Sequence, residues 1–186
     1  MAHIKRFIKK YKGKLIHLIV EEYICFIFRS LPGLTGMLLR RFFYRFLFAN
    51  MGRSVLFYTG VYLTHTYGIK CGGGVSINTG ALIDGRGGVK IGDNVMIGPY
   101  AIIASSEHEH DRIDVPMNSL NHKMTPVSIE DDVWIGAHVF IKGGVTISAH
   151  SIVGAGAVVN VDVPAYGIVA GVPARIVGDR REKHGF

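Results

Sequence analysis

Two histidines one residue apart, set in a run of carboxylates, form the densest chemical cluster in this chain. The stretch Ser105-Ser106-Glu107-His108-Glu109-His110-Asp111-Arg112 surrounds His108 and His110 with acids, and Asp114 follows closely. Imidazole suits general-base work near neutral pH, with an unperturbed pKa of about 6.5. A neighbouring carboxylate can orient the ring and stabilise the imidazolium it becomes. A hydroxyl acceptor that loses its proton as it attacks is the substrate such a group would serve. A solvated polar loop would contain the same residues and do nothing, and His110 and His122 fit that description equally well. His-x-His at 108 and 110 could also hold zinc, but a third ligand is not evident in sequence. His65, His138 and His150 lie on different repeats that stacking could bring together. Cys25 and Cys71 are too few for a disulfide framework, and neither sits in a nucleophile's setting.

Such residues need a rigid frame, and a six-residue beat supplies it. Cys71, Ile77 and Ile83 are followed, after a slip of two residues, by Ile91, Ile97 and Ile103. The series returns as Ile129, Ile135, Ile141, Ile147, Val153 and Val159. Position four of each repeat is small or apolar, as at Val75, Ala81, Val133 and Val139. Period six fits neither a helix nor a two-faced strand. It fits a chain that turns a corner every six residues and points one large side chain inward each time. Three such flats make a triangular coil, and stacked coils pair as parallel strands about 4.8 Å apart. The residue after each large one is often Gly (72, 92, 98, 136, 154), or else Asn78, Asp84 or Asn160. This spacing predicts a tight corner there, built on left-handed backbone. The beat stops between Ile103 and Ile129, and a long loop in a rigid solenoid is a common place for function.

The charge is divided along the chain. Residues 1–58 carry eleven Lys/Arg against Glu21 and Glu22, a net of +9, whereas residues 59–186 carry ten against twelve acids, a net of −2. The basic segment is also apolar. Ile4, Phe7, Ile8 and Tyr11 stand at helical spacing, and Met37–Phe48 interleaves Arg40, Arg41 and Arg45 with Leu and Phe. Pro32-Gly33 separates the helical stretches. Leu15–Val20 and Tyr23–Phe28 are each too short to span a bilayer, and Glu21-Glu22 divides them. Two placements suit this arm: an anionic membrane surface, contacted peripherally through residues 1–50, or packing on the end of the solenoid. Nucleic acid is not expected, because no recognition motif accompanies the charge. No cleavable signal pattern is present, and the expected location is cytoplasmic, with the inner membrane face as an option.

The order of later motifs carries a resemblance. Val133-Trp134-Ile135-Gly136-Ala137-His138-Val139, then Gly143-Gly144-Val145-Thr146-Ile147, then Val153-Gly154-Ala155-Gly156-Ala157, and finally Ala170-Gly171-Val172-Pro173-Ala174-Arg175 resemble the hexapeptide-repeat acetyltransferases. The likeness is to the maltose, galactoside and polysaccharide-cluster sugar O-acetyltransferases, and it covers about residues 59–178. It implies a mainly β fold: a left-handed parallel β-helix over 59–178 with one inserted loop (105–127), an N-terminal helical arm (1–58) and a short tail (179–186). It further implies a homotrimer with an active site at each subunit boundary, acetyl-CoA as co-substrate, no metal, and a carbohydrate acceptor. By the same carry-over His108 takes the slot of the general base, with His110 in reserve. Asn78 and Asp84 contact the acceptor. Trp134, Ala137, Ala155 and Asn160 line the cofactor groove, and Arg175 meets the nucleotide phosphates. Family members often have Thr-Lys where this chain has Asn160-Val161, and a second basic residue where it has Gly178; Arg180, Arg181 and Lys183 stand nearby. The expected reaction is O-acetylation of a sugar hydroxyl by direct attack, without an acyl-enzyme. An N-acetyltransferase of an amino sugar, a xenobiotic acetyltransferase, a γ-type zinc carbonic anhydrase and a non-catalytic membrane-associated trimeric scaffold are the alternatives.

Overall fold

The computed structural model describes residues 12–182. The expected amphipathic stretch Ile4–Tyr11, and Lys183, lie outside them. Two helices lead into a triangular solenoid. Five parallel strands form the first face, from Asn50–Met51 to Thr146–Ile147, and five form the third, from Tyr62–Thr64 to Val158–Val159. The second face has seven strands. Six run parallel from Leu56–Phe57 to Gly167–Ala170, and the seventh, Arg175–Asp179, folds back antiparallel. Strand pairing begins at Asn50, where Asn50 and Met51 pair with Lys70 and Cys71, ahead of the boundary at residue 59. Met51, Phe57 and Leu63 keep the six-residue spacing with residues other than Ile or Val, so the first coil is less conspicuous in sequence.

The beat itself is the core. Ile135 pairs with Ile97 below and Val153 above, and Ile141 with Ile103 and Val159. Ile97, Ile103, Ile129, Ile135, Ile141 and Ile147 are all buried, as are the position-four residues such as Val75, Val133 and Val139. Branched side chains in register pack one on another, and the parallel pairing satisfies the backbone groups beside them.

The recurring glycines serve a different purpose from the one expected. Gly72, Gly92, Gly98, Gly136 and Gly154 are not among the positive-φ residues. The left-handed positions come two residues later, at Gly74, Asn94 and Gly80, and also at Tyr100, Asp132, His138 and His150. Asn78, Asp84 and Asn160 are likewise outside the left-handed set. What the earlier glycines allow is close approach between coils. A Cβ on Gly98 would lie 2.6 Å from the carbonyl carbon of Gly136, and one on Gly136 would lie 2.6 Å from the nitrogen of Ala155. At the true corners, non-glycine residues gain partners by stacking: Tyr100 lies over His138 at 5.1 Å, and His150 over Tyr166 at 4.8 Å.

Helices α1 (Leu15–Arg29) and α2 (Gly33–Tyr44) close the N-terminal end of the solenoid. Leu31 precedes Pro32, a position where helical dihedrals are disfavoured, so the chain breaks between them. Buried Arg40 donates from Nε to the Phe57 carbonyl at 2.9 Å, and from Nη1 to Phe28 at 3.1 Å and Leu31 at 2.6 Å. Tyr44 and Phe48 pack edge-on against Phe57. Glu21, expected to split two apolar stretches, is instead buried inside one continuous helix. Its carboxylate accepts from the His65 N–H (2.9 Å), the Thr66 N–H (2.6 Å) and the Thr66 hydroxyl (2.5 Å). Among the described residues, no helix is long and apolar enough to cross a membrane.

Two consequences are measurable by urea denaturation. Gly98→Ala overpacks the coil interface and should destabilise by about 1–3 kcal/mol, although Ala is the residue least disruptive of regular backbone. Arg40→Leu leaves the buried Phe57 carbonyl without its donor, at about 1–3 kcal/mol, and also removes the bonds to the Phe28 and Leu31 carbonyls, so its loss should exceed that of Gly98→Ala.

Candidate active site

Coil geometry puts the long loop at the corner between the third and first faces. It leaves after Ala104 and returns at Val127 as a two-stranded antiparallel hairpin, Ser106–His108 against His122–Met124. Buried Ser105 clamps its base. The Ser105 hydroxyl donates to the Asp84 carbonyl (2.5 Å) and accepts the Gly87 N–H (2.9 Å), while its carbonyl accepts the Thr125 N–H (2.9 Å). The two-residue slip near Gly85 is therefore the seat on which the loop is mounted.

His108 sits on this hairpin, exposed and directly opposite His122 in the strand register. The two rings lie 4.1 Å apart, tilted by 40°. Arg86 Nη1 lies 2.7 Å from His122 Nε2. A guanidinium can only donate, so Nε2 accepts and the proton of this imidazole is on Nδ1. His110 turns its Nδ1 to the His108 carbonyl at 3.1 Å, and Glu107 pairs with Lys142 at 3.3 Å. His122 thus packs directly on His108, with Arg86 behind it. Only the strand register across the loop could have revealed that pairing.

Asp84 lies below the hairpin and is the most constrained carboxylate of the cluster. It accepts from Thr64 Oγ (3.0 Å), His65 Nδ1 (2.9 Å) and the Arg86 N–H (3.1 Å), and from Ser106 Oγ (3.2 Å). Burial opposes its ionisation. The bonds from His65 and the Arg86 backbone outweigh that and hold its pKa at about 2. His65 is itself held by Glu21, through its backbone N–H, in a left-handed conformation with φ 54°. Sequence gave no signal for this pair, because the residues lie on successive coils.

The second face carries a groove of about 820 Å³. Asn78, Trp134, Ala137 and Ala155 line it, together with outward apolar residues including Met96 and Ile168. Trp134 is half exposed there. Asn78 spends its side-chain oxygen on the Thr79 N–H at 2.8 Å. Asn160 and Arg175 do not line the groove. Asn160 follows the last strand of the third face, and Arg175 begins the antiparallel strand beyond it, donating to the Ala174 carbonyl at 2.8 Å. The nine predicted residues thus form a groove set (Asn78, Trp134, Ala137, Ala155), a corner set (Asp84, His108, His110) and two outliers. In a triangular coil, the corner between the first and third faces lies opposite the second, so one chain holds the groove and His108 on opposite sides.

Burial pushes the Cys25 and Cys71 thiols up to about 12, which leaves both inert. Among the described residues, no group of three or more His, Cys, Asp or Glu is arranged to hold a metal ion.

Residues 126–160 match the family model described as bacterial transferase hexapeptide (six repeats). The galactoside O-acetyltransferase of Escherichia coli K12 is 35% identical over 143 residues, covering 74% of this chain and 68% of that protein. The chain belongs to the hexapeptide-repeat acetyltransferases. Solved members share its shape. A hexapeptide-repeat acetyltransferase from Vibrio cholerae, complexed with acetyl coenzyme A, superposes with a TM-score of 0.79 at 30% identity, covering 90% of this chain and 88% of that one. A galactoside acetyltransferase in complex with coenzyme A gives a TM-score of 0.82 at 28% identity, covering 94% and 86%.

The depressed Asp84 pKa predicts an acid-range stability slope. Its folded pKa lies below the unfolded value of about 3.8, so the unfolded chain binds more protons between the two. Stability from this group, on the order of 2 kcal/mol, is present above about pH 4 and lost as pH falls towards 2. Asp84→Asn should remove that part of the slope in denaturation series run from pH 5 to pH 2.

Proposed function

We propose that this acetyltransferase carries the acetyl group of acetyl-CoA to a carbohydrate hydroxyl, with His108 as general base. The observation that carries this reading is the placement of His108: an exposed imidazole on a hairpin clamped by Ser105, its ring backed by His122. The acceptor hydroxyl gives its proton to His108 as its oxygen attacks the thioester carbonyl. The tetrahedral oxyanion collapses, the C–S bond breaks, and the proton passes from the imidazolium to the departing CoA thiolate. A backbone N–H in the groove is the donor suited to the oxyanion. Holding acceptor and thioester together supplies much of the acceleration. Asp84 and Asn78 are the proposed acceptor contacts. Trp134, Ala137 and Ala155 are the proposed walls for the pantetheine arm, with Asn160 and Arg175 further along towards the nucleotide. The galactoside O-acetyltransferase relationship supports oxygen over nitrogen as the acceptor atom.

The reading requires more than one copy of the chain. With the groove on the second face and His108 at the opposite corner, the corner of one protomer must meet the groove face of another. A closed ring of three, each subunit offering one face and one corner, satisfies every site by the same contact.

His108→Ala should lower turnover about 10²–10⁴-fold while calorimetry shows acetyl-CoA binding retained; near-wild-type turnover would remove His108 from the mechanism. Shared sites predict complementation. His108→Ala co-expressed with the groove-filling Ala155→Tyr should regain acetyl transfer that neither variant has alone. Mixed oligomers that stay inactive would place both elements in one protomer's site.

A further inference from the structure

The helices expose an apolar surface that no described part of the chain covers. On α1, Ile16, Ile19, Tyr23, Phe26 and Ile27 recur at helical spacing and are 48–80% exposed. Leu34, Leu38 and Phe42 on α2, and Phe46 in the turn just after it, stand four apart and are 55–70% exposed. The opposite sides of both helices hold the anchors, Glu21 and Cys25 on α1 and Arg40 and Tyr44 on α2. These rows are therefore surplus to holding the arm in place. Single exposed apolar residues need no explanation, but two adjoining rows of them do.

Charge identifies the occupant. Beside the rows, Arg41, Arg45 and Arg53 converge with Leu38 and Phe42 on a cavity of about 510 Å³, and no carboxylate lines it. The two acids of residues 1–58 are Glu21, which is buried on the His65–Thr66 turn, and Glu22. Residues 12–58 hold seven Lys/Arg and two acids, so a second copy of this face would set a segment of net +5 against another of +5. An anionic bilayer reverses that sign: its phosphates meet the arginines and its acyl boundary takes the aromatic and branched side chains. The helices are too short to span it among the described residues. We propose that α1 and α2 form a peripheral docking face for an anionic lipid bilayer. The apolar rows enter the headgroup–acyl boundary, and Arg41, Arg45 and Arg53 engage lipid phosphates.

Flotation of the full chain with vesicles tests this. The wild type should rise with phosphatidylcholine vesicles containing phosphatidylglycerol, remain below with pure phosphatidylcholine, and dissociate as salt is raised. Arg41→Gln/Arg45→Gln/Arg53→Gln should weaken binding on the order of a hundredfold, and Phe26→Ser/Phe42→Ser should abolish it. Both variants should keep the wild-type thermal transition and the wild-type particle mass by light scattering, and both should still bind acetyl-CoA. No flotation, equal flotation with neutral vesicles, or wild-type binding by the arginine variant would overturn the proposal. A lower particle mass for the phenylalanine variant would also overturn it, because the face would then be a subunit contact.

Discussion

The contact distance between successive coils governs this molecule. Parallel strands pair only when neighbouring coils sit about 4.8 Å apart, and every side chain between them must accept that spacing. Ile over Ile fills it on the inside, at Ile97 and Ile135 or Ile103 and Ile141. Between coils there is no room even for a methyl group where Gly98 faces Gly136. The same spacing lets the left-handed corner residues stack, ring on ring, at Tyr100 and His138. An elaborate loop can be carried because the frame beneath it scarcely yields. Ser105 ties the loop to Asp84 and Gly87 with bonds of 2.5 and 2.9 Å.

The six-residue spacing made the solenoid readable, because each inward position is a separate vote for the same geometry. Its first coil was harder to read, since Met51, Phe57 and Leu63 keep the spacing without keeping the residue type. The glycines were recognised by their recurrence but given the wrong physical cause. A glycine that avoids a neighbouring backbone looks the same in sequence as one that adopts positive φ, and only dihedrals separate them. Glu21 shows a similar limit. A charged pair inside an apolar run reads as an interruption, yet burial of one carboxylate is favourable here because three donors meet it. Those donors are more than forty residues away in the chain.

The site was legible in its parts more than in its assembly. His108 stood out by composition, and Trp134, Ala137 and Ala155 by motif, and the three groove residues do share one surface with Asn78. The partners His122, Arg86 and His65 had no local signature, because each meets its neighbour through strand register or coil stacking. The resulting cluster is connected by hydrogen bonds from the arm to the loop: Glu21 to the His65 backbone, the His65 ring to Asp84, Asp84 to Ser106 beside His108. Through that chain, the packing of α1 bears on the geometry of a hairpin far from it in sequence.

A solenoid has two raw edges, and each is an invitation to grow without limit by adding another chain's strand. This one refuses at both ends. Arg175–Asp179 turns back antiparallel along the outermost strand of the second face. At the other end, Arg40 and the Arg29 carbonyl occupy the Phe57 carbonyl and the Gly60 N–H, backbone groups of the first coil. At these points another chain's strand would find the backbone groups already paired. The helices and the returning strand thereby act as stops that help convert a repeat with no intrinsic length into a particle of finite size.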